Sequence, residues 1–544
     1  MQKLIFPFVA LLTVSGAWAQ QIPTFKRTPP KDWQYLDPQK DSIAGISLYR
    51  AYELLKGRPS TPVVVGVIDS GVDLVHEDLK NVLWTNTREI AGNGKDDDKN
   101  GYVDDVHGWN FMASPDGKTY VNDQEEVTQI YVMWKDKFDT IDPGKLKNKV
   151  ERRQYEVYQI AKKRFMDRSK VVRQKRLAMA DSARFIETMK GQLAQISDKT
   201  FARESLNLIQ PTETDSVGRA VKAILSEVFA PQFGSFTQME KLLTARYGVL
   251  KSIILKDIDA TYNADLKPRE LVGDNPLNPD ERGYGSPFFV AKDGLGGHGT
   301  HVAGIVGAQR GNDIGVDGVA DNVRLMYLAA VPNGGDERDK DVANAIRYAV
   351  DNGAKVINMS FGKRLSPYKE QIDAAIRYAE DKDVLLVHAA GNNGENYDTI
   401  PAYPRPVYEN GKEARNFITV GNSTWKANSN LPAGSSNYGQ RTVDLFAPGT
   451  AILSTTPGNQ YEKFSGTSMA SPCVAGVAAL LRSYFPKLTA VQVKELLMQT
   501  VWKPDLTVQR PGAAAKETVP FSTLSRSGGI VNAYEAVKKA MAVN

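Results

Sequence analysis

Residues 63–68 read VVVGVI and lead directly into Asp69. Nearly every residue of this run is β-branched and none is polar, which is typical of a parallel strand buried on both faces. Similar apolar runs follow at residues 324–331, 355–359, 384–389, 417–420 and 443–446. Segments with helical periodicity occur at residues 341–352, 367–381 and 468–484. This alternation predicts an α/β fold with a doubly wound, mostly parallel sheet that is flanked by helices.

A long stretch, residues 113–290, differs in character from these runs. Residues 145–176 carry 13 Lys and Arg against three acidic residues, and residues 155–208 are rich in good helix formers. Residues 272–287 are rich in Gly, Pro and Asn, which predicts a loop that leads back to the sheet. We therefore predict that a long, mainly helical insertion interrupts the α/β domain. Its role stays open between a lid, clamp or removable folding aid and a solvated helical ornament or oligomer contact.

The first 19 residues have the form of a secretory signal peptide. Lys3 supplies a positive charge, residues 4–14 form a short apolar run, and residues 17–19 (AWA) fit the small-x-small rule for cleavage. We expect cleavage after Ala19 and export to the periplasm, the cell surface or the medium. A retained membrane anchor is the alternative, but the apolar run is short for a bilayer crossing. No later run is long enough either, so we expect no integral membrane segment after cleavage.

The charge and the cysteine content argue against several other classes. The formal net charge of +5 is small for 544 residues, and aromatic residues are only scattered through the basic stretch, so we expect no nucleic-acid partner. Cys473 is the single cysteine, so the chain cannot form an internal disulfide. Stability must therefore come from packing or from bound metal.

Three segments carry residue types that act together in acyl transfer. Asp69 directly follows the first strand, His298 lies in residues 297–304 (GHGTHVAG), and Ser468 lies in residues 464–472 (FSGTSMASP). A hydroxyl becomes a strong nucleophile when an imidazole accepts its proton and a carboxylate orients that imidazole. Taken singly, these residues fit a turn, a structural histidine and a helix cap. Together, in the order Asp, His, Ser, they match one of the known chain orders of a catalytic triad.

These segments resemble the signature blocks of the subtilisin-like serine proteases. The family pattern consists of a D-[ST]-G block, an H-G-T-H-V-A-G block and a G-T-S-M-A-x-P block, and each is present. The resemblance implies that Ser468 is the nucleophile, that His298 is the general acid and base, and that Asp69 orients His298. It covers roughly residues 61–112 and 291–544, and only the insertion lies outside it.

Two further segments resemble the parts of that family that hold the substrate. Residues 388–393 (HAAGNN) look like the A-A-G-N segment, which implies that Asn392 is the side-chain donor of the oxyanion hole. Residues 356–362 (VINMSFG) look like the strand that pairs with an extended peptide. The groove residues that the resemblance implies are Ser360, Phe361, Gly362 and Gly391.

The resemblance implies an exported serine endopeptidase that hydrolyses the peptide bonds of protein or peptide substrates through an acyl-enzyme. The alternative is a catalytically silent pseudoprotease that binds peptides in the groove. A pseudoprotease predicts the loss of a triad or oxyanion residue, and none is lost. The sequence does not indicate an oligomeric state. The predicted division of the chain is a signal peptide at 1–19, an N-terminal segment at 20–60, a catalytic domain at 61–112 and 291–544, and the insertion at 113–290.

Oxygen-rich loops indicate structural calcium. Residues 96–105 (DDDKNGYVDD) place oxygen ligands at alternate positions before a glycine, as in the first half of an EF-hand loop. Hard oxygen ligands at this spacing suit Ca²⁺, although a solvated acidic turn fits equally well. The predicted ligands are Asp96, Asp98, Asn100 and Asp104. The family resemblance implies a second calcium position at Asp78 and Asn312.

Overall fold

The computed structural model describes residues 29–146, 148–229, 233–291, 295–513 and 517–543. The predicted signal peptide at 1–19 lies outside these residues. The chain forms two compact units. The larger unit comprises Pro29–Ala161 and Lys267–Asn544, and the smaller one includes Lys162–Leu266.

The strands belong to the larger unit and are numbered along the chain. They are β1 Val63–Asp69, β2 Gly108–Asn110, β3 Val323–Ala329, β4 Val356–Met359, β5 Leu385–Ala389, β6 Phe417–Ser423, β7 Leu445–Pro448, β8 Ile452–Thr456, β9 Gln460–Phe464, β10 Thr507–Gln509 and β11 Thr518–Pro520. The first seven form one sheet in the order β2-β3-β1-β4-β5-β6-β7, and every neighbouring pair is parallel. β8 with β9 and β10 with β11 form small antiparallel pairs.

The helices are likewise numbered along the chain. Those of the larger unit are α1 Leu48–Leu55, α2 Glu126–Phe138, α6 Arg269–Val272, α7 Gly297–Gly307, α8 Asp339–Asp351, α9 Lys369–Asp381, α10 Thr467–Tyr484, α11 Ala490–Gln499 and α12 Ala533–Val543. The smaller unit contains α4 Ser216–Val228 and α5 Phe236–Lys256, and α3 Lys149–Leu193 begins in the larger unit and continues into the smaller one. In the described part of the chain, no helix combines the length and the apolar character that a bilayer crossing needs.

The first strand lies inside the sheet, between β3 and β4, because both of its faces are apolar. Val65 and Val67 pack in one core cluster with α7 and α10, whereas Ile68 packs in a second cluster with α8 and α9. Helices therefore cover both faces of a parallel sheet, and the predicted doubly wound α/β fold is confirmed. Asp69 is the last residue of β1 and lies at the edge where such sheets place their sites.

The smaller unit has an apolar core of its own. Phe185 and Met189 of α3 pack there with Val221 of α4 and Met239 of α5. The larger unit takes in residues 113–161 and 267–290, which the sequence assigned to the insertion. Those flanks join the larger unit through specific contacts. Trp134 of α2 packs edge-on against Tyr368 at a centroid distance of 5.8 Å, and Arg269 forms a buried ion pair with Asp341 at 2.8 Å.

Candidate active site

Asp69 and His298 form a hydrogen-bonded pair at the end of β1. Asp69 is buried, and His298 is the second residue of α7. Nδ1 of His298 lies 2.7 Å from Oδ1 of Asp69, which also accepts a hydrogen bond from the Ser70 amide at 2.8 Å. A carboxylate can only accept, so Nδ1 carries the hydrogen and Nε2 is left to take a proton. Burial favours the neutral imidazole, but the charge and the hydrogen bond of Asp69 outweigh burial and raise the pKa of His298.

Ser468 is the second residue of α10, which packs against α7 and β1. Its Oγ donates a hydrogen bond to the carbonyl oxygen of Ser360 at 3.2 Å. Among the described residues, the serine hydroxyl is therefore paired with the segment after β4 rather than with His298. The structure thus joins the predicted acid to the predicted base and places the predicted nucleophile at the N-terminus of a neighbouring helix, where backbone amides favour negative charge.

Asn392 has its amide group oriented by Thr467, a residue that the sequence patterns did not single out. Oδ1 of Asn392 accepts hydrogen bonds from the Thr467 amide at 2.9 Å and from Thr467 Oγ1 at 3.2 Å. The Thr467 hydroxyl in turn accepts from the Gly391 amide at 2.9 Å. Because both bonds go to the amide oxygen, Nδ2 of Asn392 is the atom offered to a ligand. The position of Thr467 directly before Ser468 in the G-T-S-M block is the sequence signal that could have identified it.

The predicted groove residues Ser360, Phe361 and Gly362 directly follow β4. The carbonyl of Phe361 is held by Nε2 of His388 at 2.7 Å, and burial lowers the pKa of His388 to about 4, so this imidazole is neutral and donates. Gly391 has φ +93°, and a Cβ there would lie 2.5 Å from Nδ2 of Asn437. This position requires glycine for both reasons.

The second histidine of the H-G-T-H block, His301, holds the hairpin of β8 and β9. Its Nε2 lies 3.1 Å from the Ile452 carbonyl and 3.0 Å from the Glu462 carbonyl, and its ring stacks on Phe464 at 4.2 Å. Burial lowers the pKa of His301 to about 4. The imidazole is therefore a neutral donor that ties α7 to the segment that precedes Ser468.

A buried charged cluster adjoins the predicted groove residues, and the sequence patterns did not predict it. Lys363 follows Gly362, and its ammonium group donates to the Glu337 carbonyl at 2.6 Å and pairs with Asp339 at 2.8 Å. Burial and the nearby Glu126 carboxyl group raise the pKa of Asp336 well above its usual range. Burial also raises the pKa of Glu337 to about 8, although the Lys363 charge opposes the shift. The cluster joins loops that are distant in sequence, so no local pattern reports it.

The raised pKa of Glu337 predicts that the stability of the fold depends on pH. Its folded pKa of about 8 exceeds the ordinary 4.5, so the folded state keeps a proton that the unfolded state releases, and stability falls as pH rises from about 4.5 to 8. Glu337→Gln is expected to remove this loss and to stabilise the chain by about 2–5 kcal/mol at pH 9, but hardly at pH 4.5. Urea unfolding at both pH values measures the effect. Glu495→Gln, on an exposed position of α11, is the control, and an equal gain at both pH values would contradict the assignment.

The acidic loop brings together two of the predicted ligands, Asp96 and Asp98, with a carboxylate that was not predicted. Glu89, Asp96 and Asp98 place carboxylate oxygens within 4.8 Å of one another. Asn100 instead donates Nδ2 to Asp105 at 2.9 Å, and Asp104 accepts from backbone amides, at 2.9 Å in the case of Gly94. Glu89 was missed because it precedes the EF-hand-like stretch. Three carboxylates at this spacing fit a hard divalent cation such as Ca²⁺.

The two residues of the second predicted position, Asp78 and Asn312, contact each other directly. Asp78 is fully buried and accepts from Asn312 Nδ2 at 2.7 Å and from the Val316 amide at 3.0 Å, and burial raises its pKa. Asn312 lines a cavity of about 340 Å³ together with Gln34. Within the described residues, Oε1 of Gln34 is buried and has no hydrogen-bond partner. An orphaned oxygen in the cavity that Asn312 lines fits a cation that takes oxygen ligands.

Several known proteins are similar to this chain. The Subtilase family profile matches residues 280–528. A thermophilic serine proteinase of Bacillus sp. (strain AK1) is 41% identical over 209 residues, which is 38% of this chain and 48% of that protein. Thermitase of Thermoactinomyces vulgaris is 40% identical over 187 residues, 34% of this chain and 61% of that protein. This chain therefore spans less than two thirds of the length of these two relatives.

Subtilisin DY of Bacillus licheniformis is 39% identical over 208 residues, which is 38% of this chain and 70% of that protein. A solved structure of proteases from Pseudoalteromonas arctica PAMC 21717 has a TM-score of 0.45 at 19% identity, with 94% of this chain and 98% of that chain covered. The family profile and the identity to subtilisin DY over more than two thirds of its length establish the relationship. The chain belongs to the subtilase family.

Proposed function

We propose that the chain is an exported serine endopeptidase that hydrolyses protein or peptide substrates through an acyl-enzyme. The observation that carries the proposal is the pair at 2.7 Å between Asp69 and His298, beside a helix that begins at Thr467-Ser468. Asp69 holds the imidazole in the tautomer whose Nε2 can accept a proton. A paired acid and base of this kind activate a hydroxyl that approaches Nε2.

The proposed reaction begins when Ser468 turns its hydroxyl from the Ser360 carbonyl to Nε2 of His298. His298 takes the proton while Oγ attacks the scissile carbonyl, and the charge of Asp69 stabilises the imidazolium. The developing oxyanion accepts hydrogen bonds from Nδ2 of Asn392 and from the Ser468 amide. His298 then gives its proton to the leaving amine, and a water molecule releases the acyl group by the same steps in reverse.

The peptide is held as an added strand. Residues 360–362 continue from β4, and their backbone groups can pair with an extended peptide whatever its sequence. The hydrogen bond from His388 turns the Phe361 carbonyl away from the peptide. It thereby fixes the plane of the peptide unit between Phe361 and Gly362. Asp69, His298, Ser468 and Asn392 therefore act at one end of a groove that selects the peptide backbone.

The test uses the purified chain, its Ser468→Ala variant, casein and a fluorophosphonate probe. We expect the parent to cleave casein and to carry one probe adduct on the peptide that contains Ser468, whereas the variant does neither. Adduct formation on the variant, or casein left intact by the parent, would contradict the proposal. Casein that binds to the parent without being cleaved would favour the pseudoprotease instead.

We assign the exported location and the calcium to the same proposal. The export is supported by the signal-peptide pattern at residues 1–19 and by a relative in Bacillus subtilis (strain 168) that is named a cell wall-associated protease. Ca²⁺ would be held by Glu89, Asp96 and Asp98 in one loop, and by Asp78, Asn312 and Gln34 at the second position. Among the described residues, neither set shares a hydrogen bond with Asp69 or His298, so the ion would brace loops and would take no part in the reaction.

Removal of calcium is therefore expected to lower stability rather than to change the chemistry. EGTA should lower Tm by about 5–10 °C, as expected for an ion present at about 100 times its Kd. Asp98→Asn should lose part of this response. Asp104→Asn should keep it, because Asp104 is not among the carboxylates that lie within 4.8 Å of one another in the described part of the chain. Differential scanning calorimetry measures the shift. A parent Tm that is indifferent to EGTA would contradict the calcium assignment, and an Asp104→Asn chain that loses the response would restore Asp104 as a ligand.

A further inference from the structure

Helix α10 contains a proline one turn after the nucleophile. Pro472 lies inside the helix, four positions after Ser468. In an α-helix the N–H of residue i+4 donates to the carbonyl of residue i, and proline has no N–H. The carbonyl of Ser468 therefore lacks the donor that the helix would ordinarily supply, and such backbone groups are normally satisfied from elsewhere.

The hydroxyl of Ser360 takes the place of that donor. Ser360 Oγ donates to the Ser468 carbonyl oxygen at 2.9 Å, and Ser468 Oγ donates back to the Ser360 carbonyl at 3.2 Å. The two serines thus form a reciprocal pair. This pair connects the first turn of α10 to the segment that follows β4.

Two buried side chains fix the direction of the Ser360 hydroxyl. Ser471 Oγ donates to Oδ1 of Asn358 at 2.7 Å, and Nδ2 of Asn358 donates to Ser360 Oγ at 2.9 Å. Because Ser360 Oγ accepts this bond, its own hydrogen is left to point at Ser468. Asn358 and Ser471 have no exposed surface, so water does not compete for these bonds. Ser468 and Ser471 are three residues apart and lie on the same face of α10.

We propose that the Ser360 hydroxyl is a positioning group for the nucleophile Ser468. The hydroxyl supplies the hydrogen bond that Pro472 cannot donate, and it thereby fixes the first turn of α10 against the segment after β4. This inference rests on the proposed role of Ser468. It adds a function for the side chain of Ser360, whose backbone is proposed to bind the peptide. Peptide binding uses the backbone of residue 360, and attack depends on where α10 places Oγ. Loss of the hydroxyl should therefore slow the reaction without weakening binding.

Ser360→Ala removes the hydroxyl and keeps the groove backbone. We expect kcat to fall about 10- to 100-fold with KM changed by less than about twofold, as for a catalytic group displaced by about 1 Å. Pro472→Ala restores an N–H at the position that serves the Ser468 carbonyl. The double variant Ser360→Ala/Pro472→Ala is therefore expected to recover about tenfold of the lost kcat.

The matched control is Ser483→Ala at the other end of α10. Ser483 is also buried, and its Oγ donates to the Thr61 carbonyl at 2.8 Å, so the control loses a similar hydrogen bond far from Ser468. It should keep the parental kcat. A Ser360→Ala chain with parental kcat, a loss confined to KM, or a double variant no faster than Ser360→Ala would overturn the proposal.

Thermal unfolding of the parent, both single variants and the double variant separates this proposal from the proposed function. Ser360→Ala should lower Tm by about 2–6 °C, and Pro472→Ala should offset part of that loss. The effect of Pro472→Ala on the unfolded chain cancels in this cycle because it is present in both backgrounds. A parent that does not cleave casein would contradict the proposed function. Independently of that result, Tm changes of Ser360→Ala and Pro472→Ala that simply add in the double variant would contradict the hydrogen bond inferred here.

Discussion

The Ser468→Ala chain is expected to hydrolyse peptides about 10⁴- to 10⁶-fold more slowly than the parent, which is the range that triads of this kind show when one member is removed. The variant has no hydroxyl with which to form the acyl-enzyme. The groove and the Asn392 amide stay in place, so KM should change little and a small residual rate should remain. Steady-state kinetics with a chromogenic peptide measure both constants.

A second substitution tests whether the nucleophile and the base act as one unit. His298→Ala should be as slow as Ser468→Ala, and the double variant should be no slower than either, because neither group has its role without the other. If the two losses instead multiply, Ser468 and His298 contribute independently and the triad is not the catalytic unit. Ser483→Ala should retain the parental rate. That result would show that the loss of a buried hydroxyl alone does not cause the slow rate of Ser468→Ala.

The Asn392→Ala chain is expected to lose about 10²- to 10³-fold in kcat with little change in KM, since the side-chain amide donates to the oxyanion that forms only during the reaction. The Thr467 bonds at 2.9 and 3.2 Å leave Nδ2 as the donor, and the substitution removes it. The second oxyanion donor, the Ser468 amide, is unaffected. Kinetics of a single peptide substrate at saturating and limiting concentrations separate kcat from KM.

Asn393→Ala is the matched control, because Asn393 is the next residue, is equally exposed and is held by its backbone amide at 3.1 Å from Asn437. It should keep the parental kcat. A large loss in Asn393→Ala together with a small one in Asn392→Ala would move the oxyanion donor by one position. A rise in KM in Asn392→Ala would show that the amide holds the bound peptide instead.

The sheet could be predicted because its signal is local. The run at residues 63–68 is apolar on both faces, and burial on both faces is what places β1 between β3 and β4. The pairing of Asp69 with His298 could also be predicted, because each residue stands in a block whose local sequence marks its role. The role of each triad member, by contrast, remains a prediction until the variants are measured.

The groups that support the site could not be predicted in the same way. Asn358 and Ser471 are partners from distant segments, and Glu337 interacts with Lys363 in the same way. Only the folded chain shows which segments meet. Glu89 shows the same limit, since it reaches the acidic loop from outside the stretch that resembles an EF-hand. The contact of Trp134 in α2 with Tyr368 is another example, since the two residues are far apart in the sequence.

The position of β1 has a consequence for how the chain reaches its native state. β1 is the earliest strand, yet Val63 pairs with Val323 and Val65 pairs with Val356, so both of its neighbours are synthesised far later. Until β3 and β4 are synthesised, β1 is an apolar segment with both edges unpaired. Such a segment is prone to aggregation. Such a high contact order predicts slow refolding from denaturant, and nascent chains truncated before residue 356 should remain protease-sensitive and bind chaperones.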